Sequence, residues 1–438
     1  MAMLRFSKSV RDVCDTESDS TSAKITHIPR IETKSWIRNQ GHRQSIIAIH
    51  ASTYFALHAI TILGTLPTIF AKNVVLPIPG GSLQLGTTTA VLTDHSRPSW
   101  ANDTRPRALP ISVFYPVGYA PCSGGYLSEY VPQIVSDFEN KYFEPYGVLA
   151  EIDYAAFKSQ MYHTCSGGKH HNEYPLLIFS PGYERTRLLY GVLAQAVAKA
   201  GYVVVTIDHP YDADIIQYPN GDVITTDHET NLTDEVLVEI RVEDVSFVLD
   251  QLSDKKIARK LVPYDIDTSK VGMYGYSAGG STAANALISE PRLIGGLNLD
   301  GDVIAPVTLI GNDKPFLQFD QGTHTHFNSK SLSQMWPLLR GWHEELSFNG
   351  TTHSTFGDLA LLVNLWGQGN SGNESQVVSH LDGKRVSEVL RVVVTDYFKF
   401  LFTGKESKLL KCNNEGYPEI TCAITCTPSP EVNCVPPA

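Results

Sequence analysis

The sequence predicts an α/β fold, a mostly parallel doubly wound sheet with helices on both faces. Three observations carry that expectation. Beyond residue 71, short apolar runs alternate with longer amphipathic segments, and no internal repeat interrupts the alternation. One apolar run feeds directly into a turn of small residues, Gly275-Tyr276-Ser277-Ala278-Gly279-Gly280, and a small-residue helix pattern follows it. The composition, 18% charged and 42% hydrophobic over 438 residues, suits a folded globular enzyme with a substantial core.

From the amino terminus, residues 1–71 read as an extension. An apolar stretch covers residues 45–71, Arg38 and Arg43 flank it, and it ends at the small residue Ala71. Residues 55–71 have the length of a signal-peptide core, so secretion is the expectation, with a membrane-retained signal anchor as the alternative. Cysteine usage points the same way. Only Cys14 precedes the expected cut, and Cys122, Cys165, Cys412, Cys422, Cys426 and Cys434 follow it, an even number suited to disulfides. Zinc is the rival use for the last four, but no His lies among them. Asn102, Asn231, Asn349 and Asn373 head Asn-x-Ser/Thr sequons.

Residues 72–405 then form the expected catalytic domain, and 406–438 a Cys-rich tail held by cross-links. Strands are expected at 74–78 and 108–115 with a loop between them. Residues 116–174 read as an irregular insertion closed by Cys122 and Cys165. The organised core begins with a strand at 175–179, a helix at 188–200 and a Val-rich strand at 202–207. After a polar excursion comes a helix at 234–252, whose Val238, Val242, Val245, Val248, Leu249 and Leu252 share one face. A strand at 271–274 leads into the Gly275 turn, followed by a helix at 281–289, strand-like runs at 294–299, 316–319 and 345–348, and a helix at 356–366.

The Gly-x-Ser-x-Gly turn between strand and helix is a nucleophile elbow, the mark of an α/β-hydrolase fold, with Ser277 as nucleophile. A serine hydroxyl needs a base to take its proton, and the base needs a carboxylate to fix its tautomer. In this fold they follow in the order Ser, acid, His. Asp300 and Asp320 each end a strand-like run and are both candidates for the acid; Asp302 and Asp313 read as turn residues. His353, after the run at 345–348, is the expected base, with His324 and His326 as the runner-up pair. The oxyanion needs two backbone N–H donors, for which Ala278 and the loop Ser180-Pro181-Gly182-Tyr183 qualify. Pro181 has no N–H, so Tyr183 is the expected second donor.

The net charge of −11 and the lack of any run of five Lys or Arg exclude a concentrated phosphate-binding face, so no nucleic-acid partner is expected. No His/Asp/Glu cluster has metal-ligand spacing, and neither metal nor cofactor is expected.

Between residues 74 and 404 the chain resembles the platelet-activating factor acetylhydrolase, isoform II family, the secreted calcium-independent phospholipase A2 type, and in particular its secreted fungal members. The motifs that carry the likeness are 177–182 (Leu-Ile-Phe-Ser-Pro-Gly), the segment 241–252, 275–280, 297–301 (Leu-Asn-Leu-Asp-Gly) and 350–356 (Gly-Thr-Thr-His-Ser-Thr-Phe). The resemblance implies a triad of Ser277, Asp300 and His353, oxyanion donors at Tyr183 and Ala278, and hydrolysis of short or oxidised sn-2 acyl groups of glycerophospholipids, at a lipid surface, without metal. The chain departs from animal members at Pro181 and Tyr276, where they carry His, and at Gly301-Asp302, where they carry a bulky apolar stretch. A cutinase-like or general carboxylesterase and an inactive hydrolase-fold binding module are the alternatives.

Overall fold

In the computed structural model, nine strands form one sheet: β1 (Leu83–Trp100), β2 (Asp103–Tyr119), β3 (Leu176–Ser180), β4 (Val203–Ile207), β5 (Val271–Tyr276), β6 (Leu293–Leu299), β7 (Phe316–Gln321), β8 (His343–Phe348) and β9 (Ile420–Ile424). Their order across the sheet is β1-β2-β4-β3-β5-β6-β7-β8-β9. β3 to β8 run parallel to one another, while β1 and β2 at one edge and β9 at the other are antiparallel. The structure describes residues 73–100, 103–165, 174–230, 232–367 and 375–424. The expected signal segment, the sequons at Asn102, Asn231 and Asn373, and Cys14, Cys426 and Cys434 lie outside them.

The sheet is parallel at its centre because its strands are apolar on both sides. β3, β4 and β5 are buried along their whole length, as strands covered on both faces must be. Alternate residues serve opposite cores. Leu177, Phe179, Val204 and Tyr274 pack with α1 (Gly191–Ala198) and α5 (Gly383–Thr403), whereas Leu176, Ile178, Val203, Val271 and Met273 pack with α2 (Asp234–Ser253) and α3 (Ala278–Ser289). α2 starts where Thr233 caps it and Asp234 and Glu235 meet the positive helix end.

Four parts differ from the sequence expectation. The loop expected between residues 78 and 108 is mostly β1, a long edge strand paired with β2; its Thr-rich run and Pro98 read as loop, yet an edge strand tolerates proline. The insertion is ordered: Cys122 and Cys165 are bonded across an antiparallel pair, Cys122–Glu129 with Phe157–Cys165, and a helix at Gln133–Tyr142 follows the first of these strands. The first part of the tail joins the sheet, since β9 pairs with β8 and Cys412 is bonded to Cys422. The late helix, α4 (Leu359–Trp366), begins three residues after its expected start, because His353–Thr355 forms a 3₁₀ turn first.

Candidate active site

β5 ends at Tyr276 and α3 begins at Ala278, so Ser277 alone makes the turn, at φ 54° and ψ −119°. That conformation strains a residue with a side chain and is held by its surroundings. The Ser277 N–H donates to Leu299 O at 2.9 Å, and its carbonyl accepts from Gly280 and Ser281. Gly275 and Gly279 allow the bend: a Cβ on Gly275 would lie 2.1 Å from the Gly279 carbonyl oxygen, and one on Gly279 would lie 1.9 Å from that of Ser180. Ser277 occupies the N-cap position of α3, but its side chain makes no capping bond.

The hydroxyl turns instead to His353. His353 Nε2 lies 3.1 Å from Ser277 Oγ, and His353 Nδ1 lies 2.6 Å from Asp300 Oδ2. Two features fix the ring. Tyr276, the residue before the nucleophile, packs against it with centroids 4.8 Å apart. The turn that carries it is closed by Thr352 and Thr355, each bonding the other's backbone, and Thr352 Oγ1 also donates to Val377 O.

Asp300 follows β6, is buried, and has φ 54°. Its Oδ1 accepts from the Gln321 N–H at 2.9 Å and from His324 Nδ1 at 3.0 Å. Burial works to raise its pKa, but the bonds from His324 and His353 prevail and hold it below the usual carboxylate value. An ionised carboxylate only accepts, so His353 carries its proton on Nδ1 and presents a lone pair at Nε2 to the Ser277 hydroxyl.

The runner-up residues surround this acid without replacing it. His324 also faces Asp302 at 3.4 Å and Asp320 at 3.5 Å. Burial opposes its charge, yet the bonds to Asp300, Asp302 and Asp320 push its pKa up to about 12. Burial pushes the Asp320 pKa well above the usual carboxylate value, against the pull of His324, and its Oδ1 accepts from Gln318 at 2.7 Å. No hydrogen bond joins Asp320 to His353 among the described residues. His326 serves Glu345, 2.5 Å away, and stacks on Trp336. Asp302 accepts from Ser329 and Ser331, and Asp313 pairs with Arg340. Asp300, Asp320 and His324 bring ligand atoms within 4.8 Å of one another, and Asp300 is also bonded to His353 and to the Gln321 N–H.

For the two expected donors, Ala278 is the first residue of α3, and its N–H has no acceptor within the helix. The Gly182 backbone stands against the nucleophile, where a Cβ would be 3.4 Å from Ser277 Cβ. Beside Tyr276 a narrow recess is lined by Arg185, Leu189, Tyr190, Ser354 and Leu359. A larger one lies between Tyr130, Met161 and Gln195, and none of Ser277, Asp300 or His353 lines either. Sequence reasoning missed His324 as the residue that clamps the acid. Its position four residues after Asp320 was visible, its partner Asp300 was not.

Residues 129–251 match the family described as platelet-activating factor acetylhydrolase, isoform II. A protein of Arthroderma benhamiae described as a probable 1-alkyl-2-acetylglycerophosphocholine esterase is 31% identical over 390 residues, covering 83% of this chain and 97% of that protein. In fold the chain is similar to a ferulic acid esterase from Streptomyces cinnamoneus, with a TM-score of 0.67 and 24% identity over 80% of this chain and 99% of that one.

Proposed function

The chain belongs to the platelet-activating factor acetylhydrolase, isoform II family, and from that premise we propose that it removes short or oxidised acyl groups from the sn-2 ester of glycerophospholipids through an acyl-enzyme on Ser277. The observation that carries the reading is the His353 ring, bonded at 3.1 Å to Ser277 Oγ and at 2.6 Å to Asp300.

In this mechanism Ser277 Oγ attacks the ester carbonyl while its proton passes to His353 Nε2. Asp300 keeps the other ring proton on Nδ1 and stabilises the imidazolium that forms. The N–H groups of Ala278 and Tyr183 receive the developing oxyanion. His353 then gives its proton to the departing lyso-phospholipid oxygen, and water repeats the sequence on the acyl-enzyme, releasing the acid and restoring Ser277.

The disulfides Cys122–Cys165 and Cys412–Cys422 support an exported protein. Among the described residues no helix is long and apolar enough to cross a membrane.

The test is acid release by purified protein from 1-alkyl-2-acetyl and 1-alkyl-2-palmitoyl glycerophosphocholine, beside p-nitrophenyl esters of the same acyl lengths. The acetyl substrates should be strongly preferred. Ser277→Ala should abolish both turnover and labelling by a fluorophosphonate probe. Labelling that persists in the variant sinks the assignment of Ser277. Preference for palmitoyl substrates sinks the short-acyl assignment.

A further inference from the structure

Beneath the loop that carries the second oxyanion donor lies a buried polar network that the steps above do not use. Its centre is Arg241, on α2 and 1% exposed. Nε donates to Asp212 at 2.6 Å, and Nη2 donates to Asp212 and, at 3.1 Å, to the Gly182 carbonyl. Nη1 donates to the Pro181 carbonyl at 2.7 Å and to Ser180 Oγ at 3.4 Å. All five guanidinium N–H groups are thereby engaged.

Ser180 extends the network. Its hydroxyl lies 2.9 Å from His209 Nε2, and His209 Nδ1 lies 2.8 Å from Asp244 Oδ2. Asp244 also accepts from Arg107 at 2.6 Å and faces Arg97 at 2.9 Å. Burial would raise the Asp244 pKa, but Arg107 and His209 hold it low, so it is ionised and His209 Nδ1 carries a proton. Burial also keeps the His209 pKa below its ordinary value, which leaves Nε2 as acceptor for the Ser180 hydroxyl. The Ser180 lone pair is then free to receive Arg241. By residue type this repeats a nucleophile, base and acid, but none of the three is more than 1% exposed. No substrate reaches it, and its product is a fixed loop.

The direction in which that loop is fixed matters. In a planar trans peptide, the carbonyl of one residue and the N–H of the next point opposite ways. Arg241 draws the Gly182 carbonyl inward, which turns the Tyr183 N–H of the same peptide outward, on the side where the Gly182 backbone stands against Ser277. We infer that Arg241 is a positioning residue for the oxyanion hole: by holding the Pro181 and Gly182 carbonyls it aims the Tyr183 N–H at the oxyanion. The inference rests on the acyl-enzyme reading above, in which Tyr183 is a donor.

Arg241→Lys tests it, because an ammonium cannot engage Asp212 and both carbonyls at once. With p-nitrophenyl acetate, kcat should fall about 10- to 100-fold, a part of the loss expected when a whole oxyanion donor is removed. KM should move less than about threefold. Affinity for a trifluoromethyl ketone, which forms a tetrahedral adduct with the serine, should fall in step with kcat/KM. Should Arg241→Lys not fold, Arg241→Met combined with Asp212→Leu removes both charges together and should show the same kcat loss. A folded variant of either kind with wild-type kcat, or with a raised KM and unchanged kcat, overturns the inference and leaves the acyl-enzyme reading standing if Ser277→Ala is inactive. Activity surviving in Ser277→Ala overturns both.

Discussion

Replacing Asp300 by Asn tests whether this carboxylate sets the tautomer of His353. Asp300 Oδ1 accepts from the Gln321 N–H and from His324, and Oδ2 accepts from His353. Asn offers a single acceptor oxygen. Placed where it meets the two donors at Oδ1, it turns its NH₂ toward His353 Nδ1. The ring must then accept at Nδ1 and carry its proton on Nε2, facing Ser277 Oγ, where a base is needed. A wrong tautomer of this kind costs about 10⁴ in kcat, or about 5.4 kcal/mol of transition-state stabilisation. Asp320→Asn, at the tip of the adjacent strand, should leave kcat within about threefold, because the carboxylate bonded to His353 is Asp300 and not Asp320. The assay is initial-rate hydrolysis of p-nitrophenyl acetate at pH 7.5, with folding checked by circular dichroism. A loss below about tenfold in Asp300→Asn, or a larger loss in Asp320→Asn, would refute the assignment of the acid.

Gly279→Ala should destabilise the fold by about 3 kcal/mol or prevent it, since the added carbon meets a backbone oxygen at 1.9 Å rather than a yielding side chain; urea unfolding within about 1 kcal/mol of wild type would count against the elbow geometry. His324 gives a pH test. Its folded pKa of about 12 lies above the unfolded value of 6.5, so its stabilisation is complete below pH 6.5 and fades as pH rises toward 12. In His324→Gln the decline in unfolding free energy between pH 7 and 10 should flatten, and an unchanged slope would show that the ring is not held protonated. Cys412→Ser with Cys422→Ser should cost about 2 kcal/mol in urea unfolding without changing kcat, since the disulfide closes a short loop and Ser277, Asp300 and His353 bond one another without it.

Most of the parallel sheet was legible because β3 to β7 are bounded, largely apolar runs, and the elbow because glycines bracket a serine between a strand and a helix. β1 was not, since its stabilisation comes from pairing with β2, which no local pattern in a Thr-rich segment announces. α5 was overlooked although it carries local signs: Asp382 caps it, Gly404 ends it at φ 70°, and Val386, Val389, Leu390 and Val393 share a buried face. From the residues alone the acid stayed open between Asp300 and Asp320, because both end strands; the family resemblance pointed to Asp300, and in the structure Asp300 is the one bonded to His353. The network under the oxyanion loop was the least visible. Arg241 and Asp244 are charges on a helix, yet they sit on the same stripe as Val238, Val245 and Val248. Charges at stripe positions are the signal that they are buried and paired.

The last strand has a consequence for the life of the protein outside the test tube. β9 covers the side of β8 that would otherwise expose a row of unsatisfied amides and carbonyls, and a ten-residue loop stapled by Cys412–Cys422 holds it there. Reduction of the staple, or carboxy-terminal nicking ahead of residue 420, bares that row to neighbouring molecules. That row borders the root of the loop that bears His353, so a strand from a second copy could pair there in place of β9.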